Sequence, residues 1–298
     1  MEAGSLPVAR TRLAGGPGHR RRRTVNRIME IVCSLAAAVA VALLLLVVIS
    51  VLLKGIPAIN IDFLTKDPAP FGQSGGGIAN SIVGSAILVG LATLISVPIA
   101  ILVAIYTTEF AGARVATVIR FALDILNGIP TIVTGVFIFG LLVVGHQQSG
   151  WAGAIALAIV ELPVVARGAQ EVLELVPRSL HEAGLALGLR RWRIVLRIVL
   201  PTAVGGLITG AVLGVARVAG ETAPLLLTSS IFSNLGITTS PSSALPNIPV
   251  TIFGLSESSS PSDHAQAWAA AFVLIMFVLI LSVIARAFHE RSRRRLRS

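Results

Sequence analysis

Apolar runs of membrane-spanning length dominate this chain and leave few folds open to it. Residues 28–53 are apolar apart from Glu30, Ser34 and Ser50. This run exceeds the roughly 7–15 residues of a signal-peptide core and suits a retained transmembrane helix, which needs about 20 apolar residues. Charged residues make up 13% of the chain and mean hydropathy is +0.86, against about 25% charged residues in soluble domains. We therefore predict an all-α polytopic membrane protein with six spans, at residues 28–53, 78–106, 126–144, 151–165, 201–226 and 265–284.

Proline and glycine divide the chain between and within these runs. We predict a disordered basic tail at residues 1–25, a first helix with an outer loop at 26–77, a core of five spans at 78–288 and a second basic tail at 289–298. We expect Pro98 to kink the second span, and Glu161 and Pro163 to interrupt the fourth. The fifth run is longer than a bilayer needs, which predicts a tilted or broken helix.

The distribution of Lys and Arg predicts the orientation of the spans. Basic residues lie in both tails and in the loops after the second and fourth spans, whereas the opposite side carries only Lys54 and Lys66. Both termini are therefore expected to be cytoplasmic. The basic residues cluster at membrane-proximal ends, with little aromatic content for base stacking. The high isoelectric point of the chain therefore indicates contact of these residues with membrane lipid, and we exclude nucleic acid as a partner.

A polar stretch between the fourth and fifth spans carries helix signals. Ser179 and Glu182 have the spacing of a capping box, and Gly188 is placed to end the helix in a left-handed turn. The small residues of its apolar stripe would let another protein approach the backbone closely. We predict a short helix that fits a groove in a partner; an ordinary surface helix is the alternative. The stripe follows helical spacing and consists of Leu180, Ala183, Gly184 and Leu187.

The chain lacks the residues of a stand-alone enzyme. A phosphate-binding loop of the G-x-x-x-x-G-K-[ST] type needs a lysine followed by Ser or Thr, and the only lysines, Lys54 and Lys66, precede Gly55 and Asp67. The sequence contains no H-E-x-x-H or C-x-x-C pattern either. We predict no catalytic residue, no metal ligand and no cofactor bound by this chain, so that any ATPase is a separate subunit.

The fifth span carries the most informative constellation. Gly206, Gly210 and Gly214 recur every four residues, the small-xxx-small spacing that lets transmembrane helices pack closely. Continued by three and then four residues, the same stripe reaches Arg217 and Glu221, all within an arc of roughly 80° on an ideal helix. The helix is therefore expected to show one face that is tightly packed at one end and ionisable at the other.

The two charges in this span have two interpretations. An arginine at the bilayer centre costs at least about 2.5–3.5 kcal/mol on the insertion scale, so such groups pair or line a pathway. The first interpretation is a structural pair of Arg217 with Glu221, one turn apart. The second, which we favour, places Arg217, Glu221 and the neighbouring Thr222 at the translocation route.

The entry to the third span predicts a broken helix. Proline removes a backbone donor and clashes with the preceding turn, so Gly128 and Pro130 are expected to end one helix and start another. The new N-terminus would present free N–H groups and a partial positive charge, with the hydroxyls of Thr131 and Thr134 on about one face. This is either an accessory anion contact or an elbow between a helix and the span, and we favour the elbow.

The last long loop, residues 229–263, is rich in Ser and Pro and free of Lys and Arg. Its apolar run at 248–255 predicts a short helix near the membrane surface. We expect the loop to carry part of the footprint of an extracytoplasmic protein, with a slack connector as the alternative.

The helix between the fourth and fifth spans carries a family resemblance. Glu182-Ala183-Gly184, Gly188 and the IVLP sequence at 198–201 resemble the EAA loop of ABC-importer permeases, with Gly184 in place of the family's second alanine. The resemblance implies a type I ABC-importer permease fold in which Glu182, Ala183, Gly184, Leu187 and Gly188 belong to a coupling helix that docks on the ATPase subunit.

A narrower resemblance covers about residues 78–285. The sequences ARVAGETAPLL at 216–226, LPTA at 200–203 and GIPTIVTG at 128–135 resemble the phosphate-importer permeases, the PstA/PstC pair, and APLL at 223–226 favours the PstA member. This implies inorganic phosphate as cargo and a bacterial inner (cytoplasmic) membrane location. The partners implied are a PstC-like permease forming a heterodimer, a PstB-like ATPase dimer that uses ATP and Mg, and an extracytoplasmic phosphate-binding protein.

Three other functions remain as alternatives. A permease for another oxyanion, such as sulfate or molybdate, would keep the coupling loop but gives no reason for the R-x-x-G-E-T-A-P-L run. A proton-driven secondary transporter would use Glu161, Arg217 and Glu221 as a relay and leaves the helix at 179–188 unexplained. A membrane sensor without transport does not explain the ionisable residues of the fifth span.

Overall fold

A computed structural model of the protein describes residues 17–69, 75–229 and 236–295. The chain divides into two compact units, residues 1–50 and 51–298. The described part of the first unit is a single helix, and the described part of the second is a bundle of helices without β-sheet.

The helices have the following bounds. In chain order they are α1 Pro17–Gly55, α2 Ile61–Thr65, α3 Ala79–Ile105, α4 Ala113–Gly128, α5 Thr131–Ile138, α6 Gly150–Glu174, α7 Arg178–Ala186, α8 Arg191–Ile194, α9 Leu200–Val218, α10 Ala223–Thr228, α11 Ile248–Ser256 and α12 Pro261–Arg295. Three π turns extend α3, α5 and the start of α9, namely Tyr106–Phe110, Phe139–Val143 and Val195–Val199, and a 3₁₀ turn at Ile56–Ala58 follows α1.

Five described helices are long and apolar enough to cross a membrane, and a sixth span results if one bent pair is counted as a broken span. The bent pair is α4 with α5 and its π turn, which meet at 93° across Ile129 and Pro130. The predicted break at Gly128 and Pro130 is therefore confirmed. The part of this span after the break, Thr131–Val143, is shorter than the predicted residues 126–144, because residues 113–128 form a helix of their own. The five continuous spans are Arg21–Ala58, Ala79–Phe110, Gly150–Glu174, Arg191–Val218 and Pro261–Ile280.

Several predicted boundaries are wrong. Residues 17–25 of the predicted disordered tail are helical, as are residues 289–295 of the second tail, while residues 1–16 and 296–298 lie outside the described chain. The fourth span is not interrupted at Glu161 and Pro163, since α6 runs continuously to Glu174. The fifth span begins at Arg191 and ends at Val218; the expectation of a broken helix is confirmed, because α10 restarts at Ala223.

Helix α6 is the centre of the bundle. Two-thirds of its apolar window, 67%, is buried, against 28% for α3 and 17% for α12. It packs on both α3 and α9. Leu88 of α3, Leu157 of α6 and Val218 of α9 meet in one fully buried cluster, and burial of each such side chain contributes about 1.5–3 kcal/mol. Ala219 and Leu225, which follow α9 in the chain, belong to the same buried cluster, so this segment is also packed in the core.

The predicted helix in the last loop is present as α11. Its N-cap Asn247 accepts a hydrogen bond from Val250 N at 3.0 Å, and Ile248 N donates to Ser85 Oγ of α3 at 2.8 Å. The hydroxyls of Ser81 and Thr251 lie 2.7 Å apart. These bonds tie α11 to α3, so this part of the loop is not a slack connector.

Candidate functional site

The predicted glycine stripe of α9 packs against α6. A Cβ at Gly206 would lie 2.5 Å from Val172 Cγ1, and one at Gly214 would lie 2.5 Å from Val165 Cγ2. At Gly210 the opposing residue is Gly168, whose Cα lies 3.9 Å from the same position. The close packing inferred from the four-residue spacing is therefore confirmed, and α6 is the helix that requires it.

The stripe ends at Arg217 and does not reach Glu221. Helix α9 closes at Val218, and the chain turns through bonds from Ala219 N to Val215 O at 2.9 Å and from Glu221 N to Val218 O at 3.1 Å. Pro224 explains the stop, because a proline lacks the N–H that a continued helix needs and clashes with the carbonyl four residues earlier. The prediction that Glu221 shares the face of Arg217 was wrong for this reason.

Arg217 is exposed and Glu221 is half-buried at this break. Neither side chain has an ion pair or hydrogen bond within the described ranges. The structural pair that formed the first interpretation is therefore absent. Arginines within membrane spans usually pair or line a pathway, and Arg217 has no such pair among the described residues.

The threonines predicted as an anion contact lie on the helix that packs on this break. A Cβ at Gly135 of α5 would lie 2.7 Å from Pro224 Cα of α10. Thr131 is one helical turn before Gly135, and Thr134 precedes it directly; both are partly exposed. Neither hydroxyl forms a hydrogen bond with another described residue. The fold thus brings α5 next to the segment of Glu221 and Thr222, and it also forms the predicted elbow.

Glu161, predicted from the sequence to interrupt a helix, has a different place. It is fully buried in α6, and its carboxylate accepts from Thr93 Oγ1 of α3 at 3.3 and 3.5 Å. A Cβ at Gly214 would lie 3.3 Å from Glu161 Cγ. Glu161 therefore sits where α3, α6 and α9 meet, beside a glycine that lies about one turn before Arg217. A polar residue in the middle of an apolar run was the signal for such a role.

The second candidate surface is helix α7, which starts two residues earlier than its cap signals indicate. Its N-cap is Pro177, and no side chain caps it, so the predicted capping box of Ser179 and Glu182 does not form. The predicted end is confirmed. Gly188 has φ +72°, and bonds from Gly188 N to Leu185 O and from Leu189 N to Gly184 O complete a Schellman motif.

Gly184 faces its own chain and not a free surface. It is buried, and a Cβ there would lie 2.9 Å from Ile194 Cγ1 and 3.2 Å from Ile198 Cδ1. Ala183 and Leu187 are exposed, Leu187 to 80%, as are Glu182 and Gly188. The apolar stripe therefore divides: one side holds α7 to the span that follows, and the other remains available to a partner.

Residues 96–298 match the family described as binding-protein-dependent transport system inner membrane component. The chain belongs to this family. The permease is accordingly a multi-pass protein of the inner membrane, in agreement with its apolar helices.

The permease is similar in sequence to known proteins over nearly its whole length. It is 38% identical over 274 residues to the phosphate transport system permease protein PstA of Yersinia pestis, covering 91% of this chain and 92% of that one. The protein of the same name from Haemophilus influenzae is 37% identical, with coverages of 91% and 96%. A probable PstA from Methanocaldococcus jannaschii is 35% identical, with coverages of 88% and 92%.

Solved structures confirm the fold of the permease. A chain of the bacterial alginate ABC transporter, crystallised with an alginate-bound periplasmic protein, superposes with a TM-score of 0.64 at 16% identity, covering 90% of this chain and 96% of that one. The inward-facing MetNI methionine ABC transporter gives a TM-score of 0.58 at 17% identity, with coverages of 72% and 94%. The predicted type I importer fold is therefore correct.

Proposed function

We propose that this permease is the membrane-spanning subunit of an ATP-driven importer of inorganic phosphate. The observation that carries the cargo assignment is the 35–39% identity, over about nine-tenths of the chain, to permeases named for phosphate transport. The family supports the transport mode, since its members belong to binding-protein-dependent systems. Phosphate is delivered from the outer side and crosses between this subunit and a partner permease.

Arg217 is the residue proposed to meet the anion. A guanidinium donates bidentate hydrogen bonds to a tetrahedral oxyanion, which an apolar wall cannot do. Glu221, three residues beyond the helix end, lowers the net positive charge of the site, so that phosphate is held and still released. The hydroxyls of Thr222, Thr131 and Thr134 supply further donors around the same break.

The partners follow from the surfaces of the permease. With both termini in the cytoplasm, as the Arg distribution indicates, α7 lies on the cytoplasmic side and docks a PstB-like ATPase dimer, which binds the ATP and Mg. A PstC-like permease completes the pore as a heterodimer; the exposed apolar face of α5, with Val136 and Phe137 more than half exposed, suits such a neighbour or lipid. The loop at 229–263 meets the phosphate-binding protein.

The rival functions find less support. A proton relay needs Glu161, Arg217 and Glu221 in contact, yet Glu161 bonds Thr93 and the other two have no bonded neighbour among the described side chains. A sulfate or molybdate permease would share the fold but not the identity to phosphate permeases. Uptake of radiolabelled phosphate by the complete complex, measured with excess sulfate, molybdate or unlabelled phosphate, separates these cargoes. Only unlabelled phosphate should compete; equal competition by sulfate would reject the phosphate assignment.

Cysteine crosslinking tests the docking surface. A cysteine at Leu187 or Ala183 should crosslink to the ATPase subunit in the assembled complex, because both side chains face away from the permease. A cysteine at Gly184 should not, since its Cβ meets Ile194. Crosslinking from position 184 alone would reverse the assignment of the two sides of α7.

Alkylation tests the anion contact on α5. A cysteine at Thr131 should react more slowly with a polar maleimide when phosphate is present, because α5 packs on Pro224, two residues after Thr222 of the proposed anion site. A cysteine at exposed His146, in the turn after α5, serves as the control. Equal protection at both positions, or none at Thr131, would leave the threonine as part of an elbow only.

Charge reversal tests the outer loop. Glu257 is exposed at the end of α11 and has no ion pair among the described residues, so Glu257→Lys changes charge without breaking an internal bond. We expect weaker association with the phosphate-binding protein and unchanged assembly, measured by surface plasmon resonance on the purified complex. Asp263 is less suitable, because it accepts a hydrogen bond from Ser258 at 2.6 Å. Unchanged affinity would exclude this end of α11 from the footprint.

A further inference from the structure

The last turn of the span that begins with α3 is wound more loosely than the rest. Residues Tyr106–Phe110 form a π turn closed by a bond from Ala111 N to Tyr106 O at 2.8 Å. Such turns are rare and concentrate at functional sites. No glycine or proline lies within this turn.

Two side chains of the π turn bind two different helices. Thr107 is buried, and its hydroxyl accepts from Gln170 Nε2 of the central helix α6 at 2.8 Å. Glu109 lies 3.0 Å from His181 Nε2 of α7. Because a carboxylate only accepts hydrogen bonds, the imidazole nitrogen is the donor. The turn thus joins α3 both to α6 and to the docking helix.

The bond between Glu109 and His181 is shielded from solvent. The two side chains are exposed to only 12% and 28%, and both line a cavity under α7 together with Leu185 and Arg191. His181 Nδ1 is buried and finds no partner in the described part of the chain. The imidazole is therefore held by this one bond.

A second anchor of α7 is another π turn. Gly184 packs on Ile194, the residue just before the π turn Val195–Val199, and on Ile198 inside that turn. The turn leads into α9. Helix α7 is nine residues long and contacts the end of α3 through His181 and the start of α9 through Gly184, three residues apart on one face. Any displacement of α7 reaches both spans only while both anchors hold.

We propose that the Glu109–His181 hydrogen bond is a positioning contact that carries the movement of α7 to α3 and thereby sets how much phosphate is moved per ATP hydrolysed. The proposal rests on the proposed function, since it takes α7 as the ATPase docking helix. Without this bond α7 still docks and still moves α9 through Gly184, but α3 does not follow, so ATP is hydrolysed without transport.

A double-mutant cycle in the reconstituted complex tests this contact. Glu109→Ala and His181→Ala should each lower the ratio of phosphate transported to ATP hydrolysed by about fivefold, the lower end of typical coupling factors between sites. The double variant should be no worse than either single one. His181→Gln, which keeps a side-chain donor, should retain most of the ratio, and His146→Ala should leave it unchanged. The ATPase subunit should co-purify in every case.

Other outcomes would overturn the inference. Singles with the parent ratio, or a double variant in which the two losses multiply, would show that the pair does not act as one contact. Loss of ATPase co-purification in His181→Gln would assign the residue to docking itself. A parent complex that hydrolyses ATP but moves no phosphate would reject the proposed function. A parent complex that does transport phosphate, together with variants that keep its ratio, would reject the inference and leave the proposed function intact.

Discussion

Arg217→Gln is expected to lower phosphate uptake by about 10- to 150-fold while the amount of assembled complex stays at the parent level. Removing a charged hydrogen-bond partner costs about 1.5–3 kcal/mol, and every 1.4 kcal/mol corresponds to tenfold. Assembly should survive because the guanidinium is exposed and makes no bond within the described chain. Radiolabelled uptake, normalised to complex in the membrane, measures this effect.

The partner variants separate an anion-binding role from a structural one. Glu221→Gln should reduce uptake as well, since Arg217 then holds phosphate too tightly. The double variant should remain inactive, because the charge that meets phosphate is missing. In a purely structural pair the double change would restore uptake, as no uncompensated charge remains. Rescue by the double change would therefore contradict the role given to Arg217.

Gly214→Ala is expected to destabilise the permease, whereas the same change at Gly210 is expected to be neutral or mildly stabilising. At position 214 the new methyl group would lie 2.5 Å from Val165 Cγ2. Val165 is β-branched and has essentially one rotamer in a helix, so it cannot rotate away from the new methyl group. Overpacking of this kind lowers the free energy of unfolding by about 1–3 kcal/mol. At position 210 the opposing Gly168 lies 3.8 Å away or more, so only the helix preference for alanine over glycine, about 1 kcal/mol, remains.

The two glycine variants form a matched pair, one turn apart on the same helix. Thermal unfolding in detergent and the yield of assembled complex measure the effect. Gly214→Ala should show a lower midpoint and yield than the parent, and Gly210→Ala should equal or exceed it. Equal behaviour of the two would contradict the close packing of α9 on α6.

Most of these features could be predicted from short stretches of sequence, because each depends on the covalent structure or spacing of the residues in that stretch. Pro130 ends a helix by its own covalent structure, and Gly188 takes φ +72° because glycine tolerates that region. The spacing of Gly206, Gly210 and Gly214 predicted a close helix contact, although not that α6 provides it.

The features that could not be predicted from the sequence depend on tertiary contacts. The small size of Gly184 is typical of a docking residue, but Gly184 is buried because Ile194 and Ile198 pack against it. The carboxylate of Glu161, buried inside α6, accepts a hydrogen bond from Thr93 of α3, a residue 68 positions away. Neither neighbour can be identified from spacing alone, because helix faces are paired only when the bundle forms.

ATP-driven phosphate transport through this permease can be measured in proteoliposomes. The permease is reconstituted with its PstC-like and PstB-like partners, and phosphate-loaded binding protein is supplied on the outer side. Uptake of radiolabelled phosphate should require enclosed ATP and Mg, and it should vanish when the phosphate-binding lysine of the ATPase is replaced. Uptake driven by a proton gradient, with that ATPase inactive or absent, would show that the permease is not ATP-driven.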